Sequence, residues 1–143
     1  MTAIADAAAT TVLFACVHNA GRSQIAAAFF NALADPHHAR AISAGTEPAE
    51  RVHTEVVEAM REVGIELAAA RGRLLTDALA ATADLLVTMG CGESCPVAPG
   101  LRRIDWVIAD PKGQPPERVR AIRDEIERRV RALVEAQGWG AGA

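Results

Sequence analysis

The chain has 143 residues, half of them apolar and 23% charged, with a formal net charge of −3. That length suits one domain around a single core, and the apolar share excludes a disordered chain. A negative net charge, with three Phe, two Trp and no Tyr, argues against a nucleic-acid partner, which would want a basic surplus and stacking platforms.

Residues 1–10 carry Asp6 and no Lys or Arg, so they lack the charged start of a secretory signal and read as a short, poorly ordered lead-in. Val12 to Cys16 is a brief apolar run that stops at a Gly-containing loop, which predicts a buried strand. From Arg22 to Ala34 the chain is rich in Ala, Gln, Phe and Leu until Asp35-Pro36 stops it, which predicts a helix. Ala41 to Ala44 reads as a second strand ending at Gly45. Thr54 to Val63 spaces Val56, Val57, Met60 and Val63 as a helix does, and Gly64 offers a stop.

Thr76 or Asp77 can cap a short helix through Ala81. Asp84 to Met89 reads as the third strand and Ile104 to Ile108 as the fourth. The last helix starts near Pro116-Glu117 and runs to about Ala136, its apolar stripe formed by Val119, Ile122, Ile126, Val130 and Leu133. The Arg and Glu residues between them read as a solvated face. Residues 11–137 thus form the domain, and 138–143 a tail. The order β-α-β-α-(α)-β-β-α implies an α/β fold, a single-domain three-layer sandwich whose central, mostly parallel four-stranded sheet is flanked by helices. In such sheets ligands bind beyond the carboxyl ends of the strands. Cys16, the segment from Met89 to Cys95, and Asp110 all follow strands.

No apolar run reaches the roughly 18 residues of a membrane span, so no membrane association and a cytoplasmic location are expected. There, three cysteines serve chemistry more often than a disulfide framework. The first of them opens the run Cys16-Val17-His18-Asn19-Ala20-Gly21-Arg22-Ser23, placed between a strand and a helix. A loop turning into a helix N-terminus aims backbone N–H groups and the positive dipole end at one point. The dipole and Arg22 favour a Cys16 thiolate. Arg22 can grip two oxygens of a tetrahedral anion, the backbone from Val17 to Arg22 can bind the others, and Ser23 can donate its hydroxyl to the sulfur. Asn19 and Gly21 tolerate the positive φ that a tight cradle needs. The chemistry legible in the loop itself is thiolate attack on a tetrahedral oxyanion.

The loop resembles the catalytic loop of the low-molecular-weight protein tyrosine phosphatases and of the arsenate reductases built on the same fold. The resemblance runs from Val12 to about Ala136. It takes in Ser43-Ala44-Gly45-Thr46, the segment Val87 to Pro96, and Asp105-Trp106 leading to Asp110-Pro111. The cysteine-bearing segment and Val-His-Asn-Ala-Gly-Arg-Ser-Gln look closest to the arsenate reductase branch. The resemblance implies that Asp110, holding a proton, protonates the departing oxygen; capping a turn before Pro111 is its plain structural alternative. Lys112 follows where the phosphatases have Tyr, and Val17 and His18 replace larger apolar groups, so a deep phosphotyrosine pocket is not expected.

The resemblance further implies a disulfide relay, in which Cys91 attacks a Cys16–arsenic adduct and Cys95 then takes over the disulfide. Thioredoxin or an equivalent thiol, including a low-molecular-weight one, would reset it. Three residues between Cys91 and Cys95 are fewer than the better-studied arrangement has, leaving less slack for the loop to swing. Arsenate is the expected substrate, with phosphate or sulfate competing. The rival reading is a phosphatase using Cys16, Arg22 and Asp110; a non-catalytic oxyanion-binding module is a third. No cofactor or metal is expected. A half zinc site at Cys91 and Cys95 lacks a second ligand pair, and the first helix offers Ala26, Ala27 and Ala28 where a potassium site would need an acid. His37 and His38 read as surface residues. His18 and His53 read as partnerless, with His18 tuning the loop's potential.

Overall fold

The computed structural model describes residues 9–90 and 100–140. Its elements are β1 (Thr10–Cys16), α1 (Arg22–Leu33), β2 (Ala39–Gly45), α2 (Thr54–Arg61), α3 (Asp77–Ala80), β3 (Leu85–Thr88), β4 (Arg102–Asp105) and α4 (Pro116–Gln137). The four strands form one sheet in the order β2-β1-β3-β4, and every neighbouring pair is parallel. This is the expected three-layer α/β sandwich, with the central strand leading straight to Cys16.

Strand β1 explains the layers. Side chains alternate across a strand, so a run apolar at every position must be covered on both sides. Val12, Phe14 and Cys16 face a large core with Ile25, Phe30, Met60, Ile126 and Val130, drawn from α1, α2 and α4. Leu13 and Ala15 face a smaller one with Ala44, Leu75, Ala80 and Leu86. Phe14 lies at the centre of the large core, its ring 5.9 Å from both Phe30 and Trp106.

Helix α4 begins with Pro116 in its first turn and ends at Gly138, whose φ of 73° supplies a left-handed cap. The expected stripe is buried, and Arg129–Glu125 and Arg131–Glu127 pair along the solvated face. No helix among the described residues is long and apolar enough to cross a membrane.

Boundaries shift at several places, β2 beginning at Ala39 rather than Ala41 and β4 at Arg102 rather than Ile104. Thr10 belongs to β1: it pairs with Ala39 and its N–H donates to the His38 carbonyl at 2.9 Å, so the domain begins inside the expected lead-in. Helix α2 stops at Arg61 rather than Val63, and Gly64, at φ 84°, turns the chain. Strand β4 ends at Asp105, three residues short of Ile108. Its partner β3 ends at Thr88, opposite Asp105, so no ladder remains beyond; the Trp106 ring turns onto Phe14 and Val107 is left 89% exposed. The expected tail is docked through Gly140. Trp139 packs on Phe30 at 5.8 Å, its carbonyl accepts from the Asp35 N–H at 2.8 Å, and Gly140 bridges to Ala34.

Helices α2 and α4 are joined by a buried cation. Arg123 donates to the Ala59 carbonyl at 2.8 Å and to Glu62 at 2.9 Å, and Arg120 reaches the same carboxylate at 2.8 Å. Hydrogen bonds from Arg120 and then Arg123 hold the Glu62 carboxyl down at about 2 against its ordinary 4.5. A carboxyl whose pKa falls on folding adds stability that is complete above the unfolded value and lost as pH drops through the folded one. The clamp therefore weakens from about pH 4.5 downward to about pH 2. Thermal melts should show the wild type more stable than Glu62→Gln near neutral pH, the gap closing on acidification; a gap independent of pH would contradict the assignment. Trp139→Ala should cost about 2 kcal/mol in urea unfolding, because a large ring leaves its place beside Phe30.

Candidate active site

Cys16 closes β1 and is 2% exposed. The five residues that follow turn the chain into α1, and the arrangement of their peptides is set from outside. The carbonyls of Cys16, Val17, His18 and Ala20 accept from the N–H groups of Thr46, Glu47, Ala49 and His53, at 3.3, 2.8, 2.8 and 2.9 Å. The Asn19 carbonyl accepts from Gln24 Nε2 at 3.1 Å, and that of Gly21 from the Ile25 N–H at 2.9 Å. In a trans peptide the N–H points opposite to the C=O. The N–H groups from Val17 to Arg22 therefore face the inside of the loop, and none has an acceptor among the described residues. Together with the N-terminus of α1 they form an anion cradle.

Inside the loop, Asn19 Nδ2 donates to Ser23 Oγ at 2.6 Å, and Ser23 Oγ lies 2.9 Å from Cys16 Sγ. Ser23 accepts from Asn19, and its own proton is free to go to the sulfur whenever Cys16 is a thiolate, which can only accept. Asn19 is fully buried with φ 49°, as the cradle was expected to require. Gly21 differs from expectation: its φ is −146°. What it supplies is room, because a Cβ there would meet Pro111 Cγ at 3.0 Å.

Arg22 has its guanidinium mostly buried, donates to the Ile108 carbonyl at 3.1 Å, and lies 3.8 Å from Asp110 Oδ2. Gly90, with φ 100°, leaves it space: a Cβ there would stand 2.5 Å from Arg22 Nη1. Asp110 is 46% exposed and makes the turn before Pro111 that was its structural alternative. Its Oδ1 accepts from the Lys112 N–H at 3.0 Å, forming the turn, while Oδ2 faces Arg22. The turn is held from α2, where Glu55 accepts from the Gly113 N–H at 2.6 Å; that bond is the main cause of a lowered Glu55 pKa.

The structure thus brings Cys16, Asn19, Arg22, Ser23 and Asp110 to one place. Cys91 and Cys95 lie outside the described residues. His18 is not partnerless: its Nδ1 lies 3.1 Å from the Glu47 carbonyl. His37 and His38 are exposed and sit against Asp35. Among the described residues no group of three or more His, Cys, Asp or Glu could hold a metal ion.

Sequence reading missed the residues that shape the loop from behind. Gly45 appeared as a strand end and within the resemblance, with no role of its own, yet a Cβ there would stand 2.5 Å from the Val17 carbonyl. Gln24 appeared as a helix former and as the end of the run resembling the reductases, with no role of its own, yet it is buried and bonded to the loop. A lone amide in an Ala-rich helical face was the available signal.

The low molecular weight phosphotyrosine protein phosphatase family matches residues 11–138. A Halobacterium salinarum protein, provisionally named an arsenate reductase, is 40% identical over 121 residues, covering 82% of this chain and 85% of its own length. Among solved structures, the thioredoxin-dependent arsenate reductase of Corynebacterium glutamicum superposes with a TM-score of 0.77 at 38% identity. The match covers 90% of this chain and only 61% of that protein. An arsenate reductase from Archaeoglobus fulgidus gives 0.75 at 38% identity, covering 87% of this chain and 98% of its own. With the match spanning nearly the whole domain, the chain belongs to the low molecular weight phosphotyrosine protein phosphatase family.

Proposed function

We propose that this protein is an arsenate reductase in which Cys16 attacks the arsenic of arsenate held in the loop. The observation that carries the reading is the set of loop N–H groups turned inward around a cysteine whose sulfur lies 2.9 Å from Ser23 Oγ. The names of its relatives support the choice of oxyanion.

The steps balance as follows. The Cys16 thiolate forms an S–As bond, and an oxygen leaves as water after taking a proton from Asp110. Arg22 and the backbone of residues 17–22 hold the remaining oxygens. Cys91, as thiolate, attacks Cys16 Sγ; the S–As bond breaks and its electron pair stays on arsenic, giving arsenite and a Cys16–Cys91 disulfide. Cys95 then attacks Cys91 and frees Cys16. The Cys91–Cys95 disulfide passes to an external dithiol of the thioredoxin type, which ends oxidised. Two thiols thus supply the two electrons. Phosphate and sulfate fit the same cradle and compete. A reducing compartment, the cytoplasm, suits three working thiols.

The family match also favours a second reading, phosphate-ester hydrolysis through a Cys16 phosphothiolate cleaved by water. It uses Cys16, Arg22 and Asp110 and has no use for Cys91 or Cys95.

The assay that separates them is arsenite formation with a thioredoxin-regenerating system. Cys16→Ser should abolish it, and Cys91→Ser or Cys95→Ser should stop multiple turnover. Unchanged turnover in both would exclude the relay, and a wild type that hydrolyses phosphate esters but makes no arsenite with any thiol donor would exclude the reductase. Asp110→Asn should lower turnover by about 10²–10⁴-fold, the usual worth of a positioned acid. Gly90→Ala should raise the KM for arsenate about tenfold or more by displacing Arg22, since charge-assisted hydrogen bonds are worth roughly 1.5–3 kcal/mol.

A further inference from the structure

Asn19 is the only non-glycine among the described residues with positive φ, and its side chain is the middle link between Ser23 and the backbone behind the loop. Something must hold a residue in that conformation, which a Cβ disfavours. The Arg73 N–H donates to Asn19 Oδ1 at 2.9 Å. Gln24, one turn into α1 and 8% exposed, provides the rest. Its Nε2 lies 3.0 Å from the Arg71 carbonyl, 3.1 Å from the Asn19 carbonyl and 3.4 Å from Asn19 Oδ1. Three surrounding oxygens leave no choice of amide orientation: the group there must be the NH₂.

The consequence is directional. With Oδ1 of Asn19 facing the Arg73 N–H and the Gln24 amide, its NH₂ has to face Ser23. Ser23 then accepts from Asn19 and, against a Cys16 thiolate, gives its proton to Sγ. The backbone that anchors Gln24 is itself fixed: the Gly72 N–H donates to the Ala49 carbonyl at 3.1 Å, and the Gly45 N–H to that of Arg73 at 2.8 Å. A Cβ on Gly72 would stand 2.1 Å from the Ala49 carbonyl, so this segment lies directly against the strap behind the loop.

We propose that Gln24 is a positioning residue for the nucleophile, acting through Asn19 and Ser23 to direct a hydrogen bond at the Cys16 sulfur. It touches neither the sulfur nor the substrate. Its single amide ties the Asn19 peptide to the 71–73 segment and, together with the Arg73 N–H, holds the direction of the Asn19 side chain. The inference rests on Cys16 being the nucleophile and is independent of whether the second step is reduction or hydrolysis.

The test uses the full chain carrying Cys91→Ser and Cys95→Ser, so that Cys16 is the only thiol. Ultraviolet thiolate absorbance and the iodoacetamide alkylation rate are read at neutral pH, with melting temperature alongside. Gln24→Met keeps length and apolar volume but has no donor. It should lose most of the thiolate absorbance and alkylate about tenfold more slowly, because a hydrogen bond to the charged form favours that form. Gln24→Glu, which puts an acceptor against three oxygens, should lose at least as much. Should Gln24→Met fail to fold, Gln24→Asn retains the amide one methylene short of the Arg71 carbonyl, and the same loss is expected. In an Asn19→Ala background, adding Gln24→Met should change the rate less than about twofold, as expected for residues acting in series. Wild-type absorbance and alkylation in Gln24→Met, or an undiminished effect without Asn19, would overturn the proposal. If phosphate and arsenate both fail to protect wild-type Cys16 from alkylation, the nucleophile reading itself fails, a result that does not depend on Gln24.

Discussion

The site depends on one constraint: every carbonyl from Cys16 to Gly21 must find a donor on the outside of the loop. Backbone polarity is conserved along a chain, so a carbonyl turned outward leaves the next N–H turned inward. The donors are supplied by the strand of backbone from Thr46 to His53, by Gln24 and by the first turn of α1. That strand approaches closely because Gly45 and Gly72 have no side chain where one would strike a carbonyl. The cradle's affinity for an anion is thus built by residues that never face the anion. Burial and dipole add to it, but neither would orient six N–H groups without the strap behind them.

Sheet topology puts this loop where it can work. Strand β1 is central, pairs with β2 on one side and β3 on the other, and its alternating side chains fill both cores. Cys16 therefore emerges at the carboxyl end of the most constrained strand, next to the ends of β2 and β3. Gly90, which follows β3, leaves room for the Arg22 guanidinium, and the segment after β4 supplies both the Ile108 carbonyl and Asp110. Three chain segments distant in sequence meet at one charged group. The small side chains at Gly21 and Gly90 permit the approach.

How much of this was legible depended on whether the information was local. Periodicity and punctuation located every element, since Gly64 and Pro116 act within a few residues of the ends they mark. The Cys-to-Ser spacing of the loop placed Cys16, Arg22 and Ser23, because strand–loop–helix geometry is itself local. Boundaries set by tertiary pairing were not legible. Trp106 to Ile108 looks like strand in composition but has no partner beyond Thr88, and the apparent tail is held by Trp139 on Phe30, more than a hundred residues away. The same reason hid Gly45, Gln24 and Glu55, whose partners lie 5 to 58 residues off, some of them backbone atoms that carry no sequence signature. For Gly21 the residue type was read correctly and its reason was not: space against Pro111 rather than positive φ.

Reduction and hydrolysis then differ in what they ask of Asp110. Both need a proton delivered to the first leaving oxygen. Hydrolysis needs more, because the same carboxylate must next accept a proton from an incoming water. In this structure Oδ1 accepts from the Lys112 N–H and Oδ2 faces Arg22 at 3.8 Å. A thiol relay has no such second demand, since the next nucleophile is a thiolate and carries its own electron pair. What separates the two routes is therefore the second nucleophile, a thiolate in one and an activated water in the other.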